Sequence, residues 1–197
     1  MIRAIVTDFD GTIVDTFEAN YAAYCMAFKH CGLELLKEQY HACFGLRFDA
    51  FMDVMKINDA DLRNKIKQEK ARVYPMCFGH LKPNETLINF IQKAKLSGVK
   101  TAIASTAQRG NLMNVLKHLQ LEHLFDIIIA GDAVKEGKPN PEIYLTSMSM
   151  LGVEPSETLV FEDTEVGLQA AEKSGANVMK ISKDYYESNN RLYGLNG

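Results

Sequence analysis

Between Asn84 and Ile181 the chain alternates helical segments with short apolar, β-branched runs, and no other feature restricts its fold so tightly. Asn84 can cap a helix whose apolar positions are Leu87, Ile88, Ile91 and Ala94, with Gly98 just past its end. A strand is predicted over 99–104, a helix over 110–118 and a strand over 127–130. Pro141 suits the first turn of the next helix, with Asn140 as its cap. A strand follows over 158–161. Thr164 then opens a helix through Val166, Leu168, Ala170 and Ala171, which Gly175 closes before a last strand over 177–181. Strands alternating with helices of this length define an α/β fold with a mainly parallel sheet.

One further strand precedes these. Ala4-Ile5-Val6-Thr7 is a short apolar run that ends abruptly at Asp8-Phe9-Asp10-Gly11, where Gly11 marks a tight turn. The stretch 17–81 then lacks β-branched runs. Tyr21, Tyr24, Cys25 and Phe28 fall on one face of a helix that stops near Gly32, and further helices are expected over 36–43, 47–56 and 59–78. The chain therefore divides into a core, 1–16 and 82–197, and an inserted helical cap, 17–81. The tail 184–197 is polar with several tyrosines, and its pattern assigns no element.

Composition narrows the class. The chain has 197 residues, 47% hydrophobic and 24% charged, which fits one domain carrying a small insert. Net charge is −3 and there is no basic run, so no large nucleic-acid footprint is expected. No run approaches the ~20 apolar residues of a membrane span. Two carboxylates by position 10 argue against a signal peptide. The four cysteines form no CxxC pair and are expected as free thiols in a reducing, cytoplasmic setting. Oligomeric state is not legible in the sequence.

In open parallel sheets, ligands bind beyond the carboxyl ends of the strands. Asp8 and Asp10 follow the first strand, and Ser105 and Thr106 the second. Gly131 and the loop carrying Gly137-Lys138-Pro139 follow the third, and Glu162 and Asp163 the fourth. Any one of these alone would read as a turn, a helix cap or a solvated charge. Together and in order, they place groups able to bind a metal and a phosphate at one end of one sheet. Two look-alikes fail. Gly131 to Lys138 has five residues between its glycines where a Walker-type phosphate loop has four, and Pro139 replaces the required Ser or Thr. Asp8-Phe9-Asp10-Gly11 lacks the third acidic position and the terminal Glu of a calcium loop.

These segments resemble a known family. Asp8-Phe9-Asp10-Gly11-Thr12-Ile13-Val14-Asp15-Thr16 looks like the first motif of haloacid dehalogenase-like hydrolases. Ser105 stands at the second motif, and Gly137-Lys138-Pro139-Asn140-Pro141 looks like the third. Phe161-Glu162-Asp163-Thr164, with Gly167 and Ala170-Ala171, looks like the fourth. The resemblance covers nearly the whole chain. Its helical insert matches the subgroup that includes β-phosphoglucomutase and many sugar-phosphate phosphatases. It implies a Rossmann-like core with strand order 5-4-1-2-3, a Mg2+ cofactor and an aspartyl-phosphate intermediate on a small phosphorylated metabolite. Asp8 is then the nucleophile and Asp10 the general acid/base. The Asp8 and Asp163 carboxylates and the Asp10 backbone carbonyl are the expected metal ligands, with Glu162 a weaker candidate, at the ion or behind its ligands. Lys138, Ser105 and the Thr106 backbone N–H are expected on the phosphoryl oxygens.

Cap residues carry the substrate expectations. Lys70 aligns with a lysine that faces substrate in the subgroup, and Arg47 lies near a position where the mutase carries an arginine. Asn20 stands where the mutase has its hinge histidine. An amide cannot shuttle a proton, so hydrolysis is favoured over phosphoryl transfer between sugar hydroxyls. The alternatives are a phosphomutase of that type and an inactive binding module. The module is disfavoured because Asp8, Asp10, Lys138 and Asp163 are all present.

Overall fold

Strand β1 (Ala4–Thr7) is buried along its whole length in the computed structural model, which describes residues 1–182. The chain then makes β2 (Val14–Asp15) and four helices: α1 (Phe17–His30), α2 (Lys37–Cys43), α3 (Phe48–Val54) and α4 (Ala60–Val73). A 3-10 stretch, Tyr74–His80, leads into β3 (Lys82–Pro83). Strands β2 and β3 pair antiparallel, Val14 opposite Pro83 and Asp15 opposite Lys82. The helical block thus leaves and re-enters through one short ribbon that the sequence pattern did not reveal. Next come α5 (Glu85–Leu96), β4 (Lys100–Ala104), α6 (Arg109–His118), β5 (Ile127–Ile129) and α7 (Glu142–Leu151). Then follow β6 (Thr158–Glu162), α8 (Glu165–Lys173) and β7 (Asn177–Lys180). The tail 184–197 lies outside the described residues.

The main sheet runs β5-β4-β1-β6-β7, all parallel. Counting that sheet's own strands along the chain and starting from β7, this is the expected order 5-4-1-2-3. Side-chain alternation along each strand sends apolar groups to both faces. Ile5 and Ile103 pack under α5 and α6 with Leu87, Ile91, Leu112 and Leu116. Ala4, Val6, Ala102 and Val160 pack on the other face with Ile143, Tyr144 and Met148 of α7 and Ala170 and Ala171 of α8. The expected caps form: Asn84 Oδ1 accepts from Leu87 N at 3.0 Å and Thr164 Oγ1 from Gly167 N at 3.1 Å. Asn140 Oδ1 accepts from Glu142 N at 2.9 Å, just ahead of α7.

The cap differs from its sequence reading in two places. The helix expected over 59–78 breaks after Val73, because Pro75 has no N–H to donate to an i−4 carbonyl. On α1 the most deeply buried positions include Ala19, Ala23 and Ala27, whereas Tyr21, Tyr24 and Cys25 are half-buried. Ala19 and Ala23 pack with Val73, Tyr74, Cys77 and Phe78, so α1 is covered on two sides. A second cluster of Phe28, Leu35, Tyr40, Phe51, Met52 and Ile66 fills the cap itself. No helix among the described residues is long and apolar enough to cross a membrane.

Candidate active site

The first carboxylate sits where β1 runs out. Asp8 N still donates to Phe161 O of β6 at 2.9 Å, and Asp8 is 6% exposed. The chain then coils tightly, with the N–H groups of Thr12, Ile13 and Val14 all donating to Phe9 O. Gly11 allows this with φ 94°, and it also makes room. A Cβ at that position would lie 2.3 Å from Asp163 Oδ2. Asp163, 5% exposed at the end of β6, accepts from Thr12 Oγ1 at 3.0 Å through its other oxygen. Two neighbouring strands therefore deliver Asp8 and Asp163 to one spot.

Lys138 comes from the loop after β5 and donates from Nζ to both Asp8 Oδ1 and Glu162 Oε1. Its side chain is 5% exposed, so this is a desolvated charge cluster. Burial drives the Asp8 pKa well above the usual carboxylate range; Lys138 opposes that shift, while Glu162 and Asp163 add to it. Burial pulls the Lys138 pKa down, but Asp8, Tyr144 and Glu162 outweigh it and hold the ammonium well above its ordinary value.

Glu162 accepts more bonds than any other carboxylate here. Oε1 takes Lys138 Nζ and the Tyr144 hydroxyl at 3.0 Å. Oε2 takes Asp163 N at 2.8 Å, Thr164 N at 2.9 Å and Thr164 Oγ1 at 3.1 Å. A Cβ on Gly167 would fall 1.8 Å from Oε1, so α8 can lie against this carboxylate only with glycine there. The sequence offered Glu162 as a weaker candidate, at the metal or behind its ligands. Both of its oxygens meet protein donors, making it a tether for Lys138 and the β6 end.

Asp10 is held separately. Thr16 Oγ1 donates to its Oδ1 at 2.5 Å and Ser105 Oγ to its Oδ2 at 3.3 Å. Ser105 Oγ also accepts from Ala107 N at 3.0 Å. The serine expected on phosphoryl oxygens thus orients the second aspartate here.

The cluster fits a hard divalent cation. Oxygens of Asp8, Glu162 and Asp163 lie within 4.8 Å of one another, and the ammonium of Lys138 pairs with the first two. Hard oxygen donors with surplus negative charge are what Mg2+ selects. With Glu162 already engaged, Asp8 and Asp163 are the carboxylates with room for an ion.

Above this end of the sheet lies a cavity of about 100 Å³ between cap and core, lined by Asp10, Asn20, Tyr24, Lys70, Tyr74 and Thr106 among others. Drug-sized ligands occupy pockets of roughly 300–1,000 Å³, so this one suits a small leaving group. Lys70 is 5% exposed, with Nζ 3.6 Å from the Tyr74 ring centre and 5.4 Å from that of Tyr24. Burial lowers its pKa to about 7, although Asp10 and Cys77 act the other way. Asn20 is also buried. Arg47 corrects the sequence reading: it does not line the cavity, and its guanidinium donates to the Gly131, Val134 and Lys135 carbonyls of the core. Sequence reasoning gave no role to Thr16 or Tyr144. Thr16 closes the first motif and could have been suspected there, but Tyr144 reads only as a core aromatic of α7.

A family model for haloacid dehalogenase-like hydrolases matches residues 5–181. The "Phosphorylated carbohydrates phosphatase" of Thermotoga maritima is 29% identical over 180 residues, covering 88% of this chain and 82% of that protein. Protein CbbY of Rhodobacter capsulatus is 30% identical over 199 residues, covering 93% and 87%. The crystal structure of CbbY from Rhodobacter sphaeroides in complex with phosphate superposes with a TM-score of 0.83 at 25% identity, covering 94% of this chain and 88% of that one. The chain belongs to the haloacid dehalogenase-like hydrolases, as a member of phosphatase type.

Proposed function

We propose that the protein is a Mg2+-dependent phosphatase that hydrolyses a small phosphorylated carbohydrate through an aspartyl-phosphate on Asp8. One observation carries this reading: Asp8, buried against Lys138, shares the end of the sheet with Asp163 and Asp10. The name of the Thermotoga relative supports the substrate class. Residues 17–81 act as a cap hinged at the β2–β3 ribbon. The four free cysteines suit a cytoplasmic setting.

Asp8, Asp163 and the Asp10 backbone carbonyl would hold Mg2+, which supplies charge neutralisation for the phosphate dianion and its approaching nucleophile. Lys138 adds a fixed positive charge on the other side of Asp8. One Asp8 oxygen attacks phosphorus in line, and the bond from phosphorus to the ester oxygen breaks. Asp10 gives its proton to that leaving oxygen, and Thr16 and Ser105 fix the plane of its carboxylate for the transfer. Water then attacks the aspartyl-phosphate, Asp10 takes the water proton, and Asp8 is regenerated with release of phosphate. The Thr106 backbone N–H would donate to the phosphoryl oxygens, whereas the N–H groups of 11–14 are already engaged within the turn.

Asn20 and Lys70 line the cavity, where they would face the leaving group. Asn20 carries no titratable proton, which favours water over a sugar hydroxyl as the second acceptor. A coupled assay in which a hexose 1-phosphate isomerises faster than phosphate appears would replace this reading with a phosphomutase. The central test is phosphate release from a panel of small phosphate esters with Mg2+ present. Asp8→Asn is expected to be inactive, and wild-type turnover in that variant would sink the mechanism.

A further inference from the structure

Arg47 belongs to the cap, at the start of α3, yet its guanidinium crosses to the core. Nη2 donates to Gly131 O at 2.8 Å and Val134 O at 3.3 Å, and Nη1 donates to Lys135 O at 3.1 Å. These acceptors all lie on the loop between β5 and α7. Gly137, on the same loop, lies beside the guanidinium; a Cβ there would come within 2.6 Å of Nε and 3.2 Å of Cζ. The fit is specific to a planar fork with several donors, since an ammonium could not reach the same set of carbonyls.

The loop is gripped from its other side too. Lys135 N and Glu136 N donate to the Glu142 carboxylate at 3.0 and 2.8 Å. The next residue after Gly137 is Lys138, whose Nζ rests on Asp8 and Glu162. A second, weaker contact joins the same parts: Thr106 Oγ1 donates to Gly45 O at 3.5 Å. Carbonyls 131, 134 and 135 thus connect a cap side chain to the backbone that carries the active-site lysine.

We infer that Arg47 is a positioning residue that fastens the cap to the loop 131–137 and, through that loop, holds Lys138 against Asp8. The core's ammonium is then set when the cap is closed and loosened when the cap lifts. The inference rests on the proposed roles of Asp8 and Lys138. It departs from the substrate-binding role that the sequence suggested for Arg47.

The test uses the full chain with Mg2+ and p-nitrophenyl phosphate as the probe. Arg47→Ala, Arg47→Lys and Gly137→Ala are compared with wild type by steady-state kinetics and by amide hydrogen exchange read by mass spectrometry. Each variant is expected to exchange the amides of 131–138 about tenfold faster, because charged-donor hydrogen bonds are lost, while β1 and β4 keep their protection. Turnover should fall about tenfold with KM within about twofold, since the substrate contacts remain. Arg47→Lys should not rescue, as it keeps the charge and loses the fork. Gly137→Ala attacks the contact from the core side, so the comparison survives if Arg47→Ala does not fold. A raised KM with unchanged kcat would place Arg47 on the substrate and overturn the inference. Unchanged loop exchange would remove the fastening, and faster exchange with unaltered kcat would remove its link to Lys138. Wild type that releases no phosphate from any ester defeats the phosphatase reading, whereas the exchange comparison still decides the fastening.

Discussion

The sheet end and the cap pocket handle buried charge in opposite ways. At the sheet end each charge meets a named polar partner: Lys138 has Asp8 and Glu162, Glu162 has donors on both oxygens, and Asp163 has Thr12. In the cap, Lys70 is equally buried but faces the rings of Tyr74 and Tyr24, and no carboxylate forms an ion pair with it among the described residues. A fully answered cluster fixes geometry, which suits chemistry that is the same for every phosphate ester. An ammonium against aromatic faces costs stability and stays available, which suits recognition of a leaving group that differs between relatives.

That contrast can be broken at several points. The largest effect is expected from Asp10→Asn, which removes the proton donor while keeping the backbone carbonyl. Turnover should drop by roughly 10²- to 10⁴-fold with Mg2+ affinity retained, read by phosphate release and by metal titration. Lys138→Met should leave Asp8 and Glu162 facing each other without a counter-charge and destabilise the chain by about 3–5 kcal/mol in the metal-free state, measured by urea unfolding. A loss below ~1 kcal/mol would mean the cluster is not the tightly answered one described.

Lys70→Met should act in the opposite direction on stability. The Lys70 pKa is about 7 in the fold against an ordinary 10.5, so the folded chain binds fewer protons than the unfolded chain between those values. Wild-type stability from this group therefore rises with pH from about 7 to 10.5, and it is lost as pH falls through that window. The methionine variant should be more stable near pH 7.5, on the order of 2–4 kcal/mol, with the gap closing toward the upper end. Its KM should rise if the lysine meets substrate. Denaturation across that pH range gives the sign, and a gap that widens with pH would refute it.

Tyr144→Phe sharpens the comparison from the other side. It removes one hydrogen bond to Glu162 and keeps the ring beside Lys138. A cost of about 1–2 kcal/mol is expected, with turnover lowered only a few-fold.

The two regions were also unequally legible. Asp8, Asp10, Ser105, Glu162 and Asp163 could be placed because a strand end fixes where a residue sits, whereas Lys138, on the long loop after β5, was placed by its resemblance to the family's third motif. The Asn84 and Thr164 caps followed from patterns equally local, whereas the sheet order came from the family resemblance. What escaped depends on distant partners. Glu162 was a weaker candidate, at the ion or behind its ligands, and the sequence did not point to the Tyr144 and Thr164 hydroxyls that meet it. Ser105 turned out to hold Asp10. Arg47 is an exposed-looking helix-start residue whose acceptors lie more than eighty positions away. In the cap, the tyrosine face of α1 is the larger apolar signal, while the alanines are among its most deeply buried positions. The break after Val73 is legible in Pro75, which lacks the amide donor a continuing helix needs.

The β2–β3 ribbon has a consequence for the whole architecture. Chain entry and exit of the helical block lie side by side, so everything from Phe17 to Leu81 is, to the sheet, a single excursion between adjacent points. The entropic cost of such an excursion grows only logarithmically with its length. Changes of length within the block, away from the Ala19, Ala23, Val73 and Tyr74 side that packs into the core, would therefore leave the sheet's folding nearly untouched. The core is in this sense a socket, and a chimera carrying a foreign block between Asp15 and Lys82 should fold with the same parallel sheet if it keeps the apolar groups at Ala19, Ala23, Val73 and Tyr74.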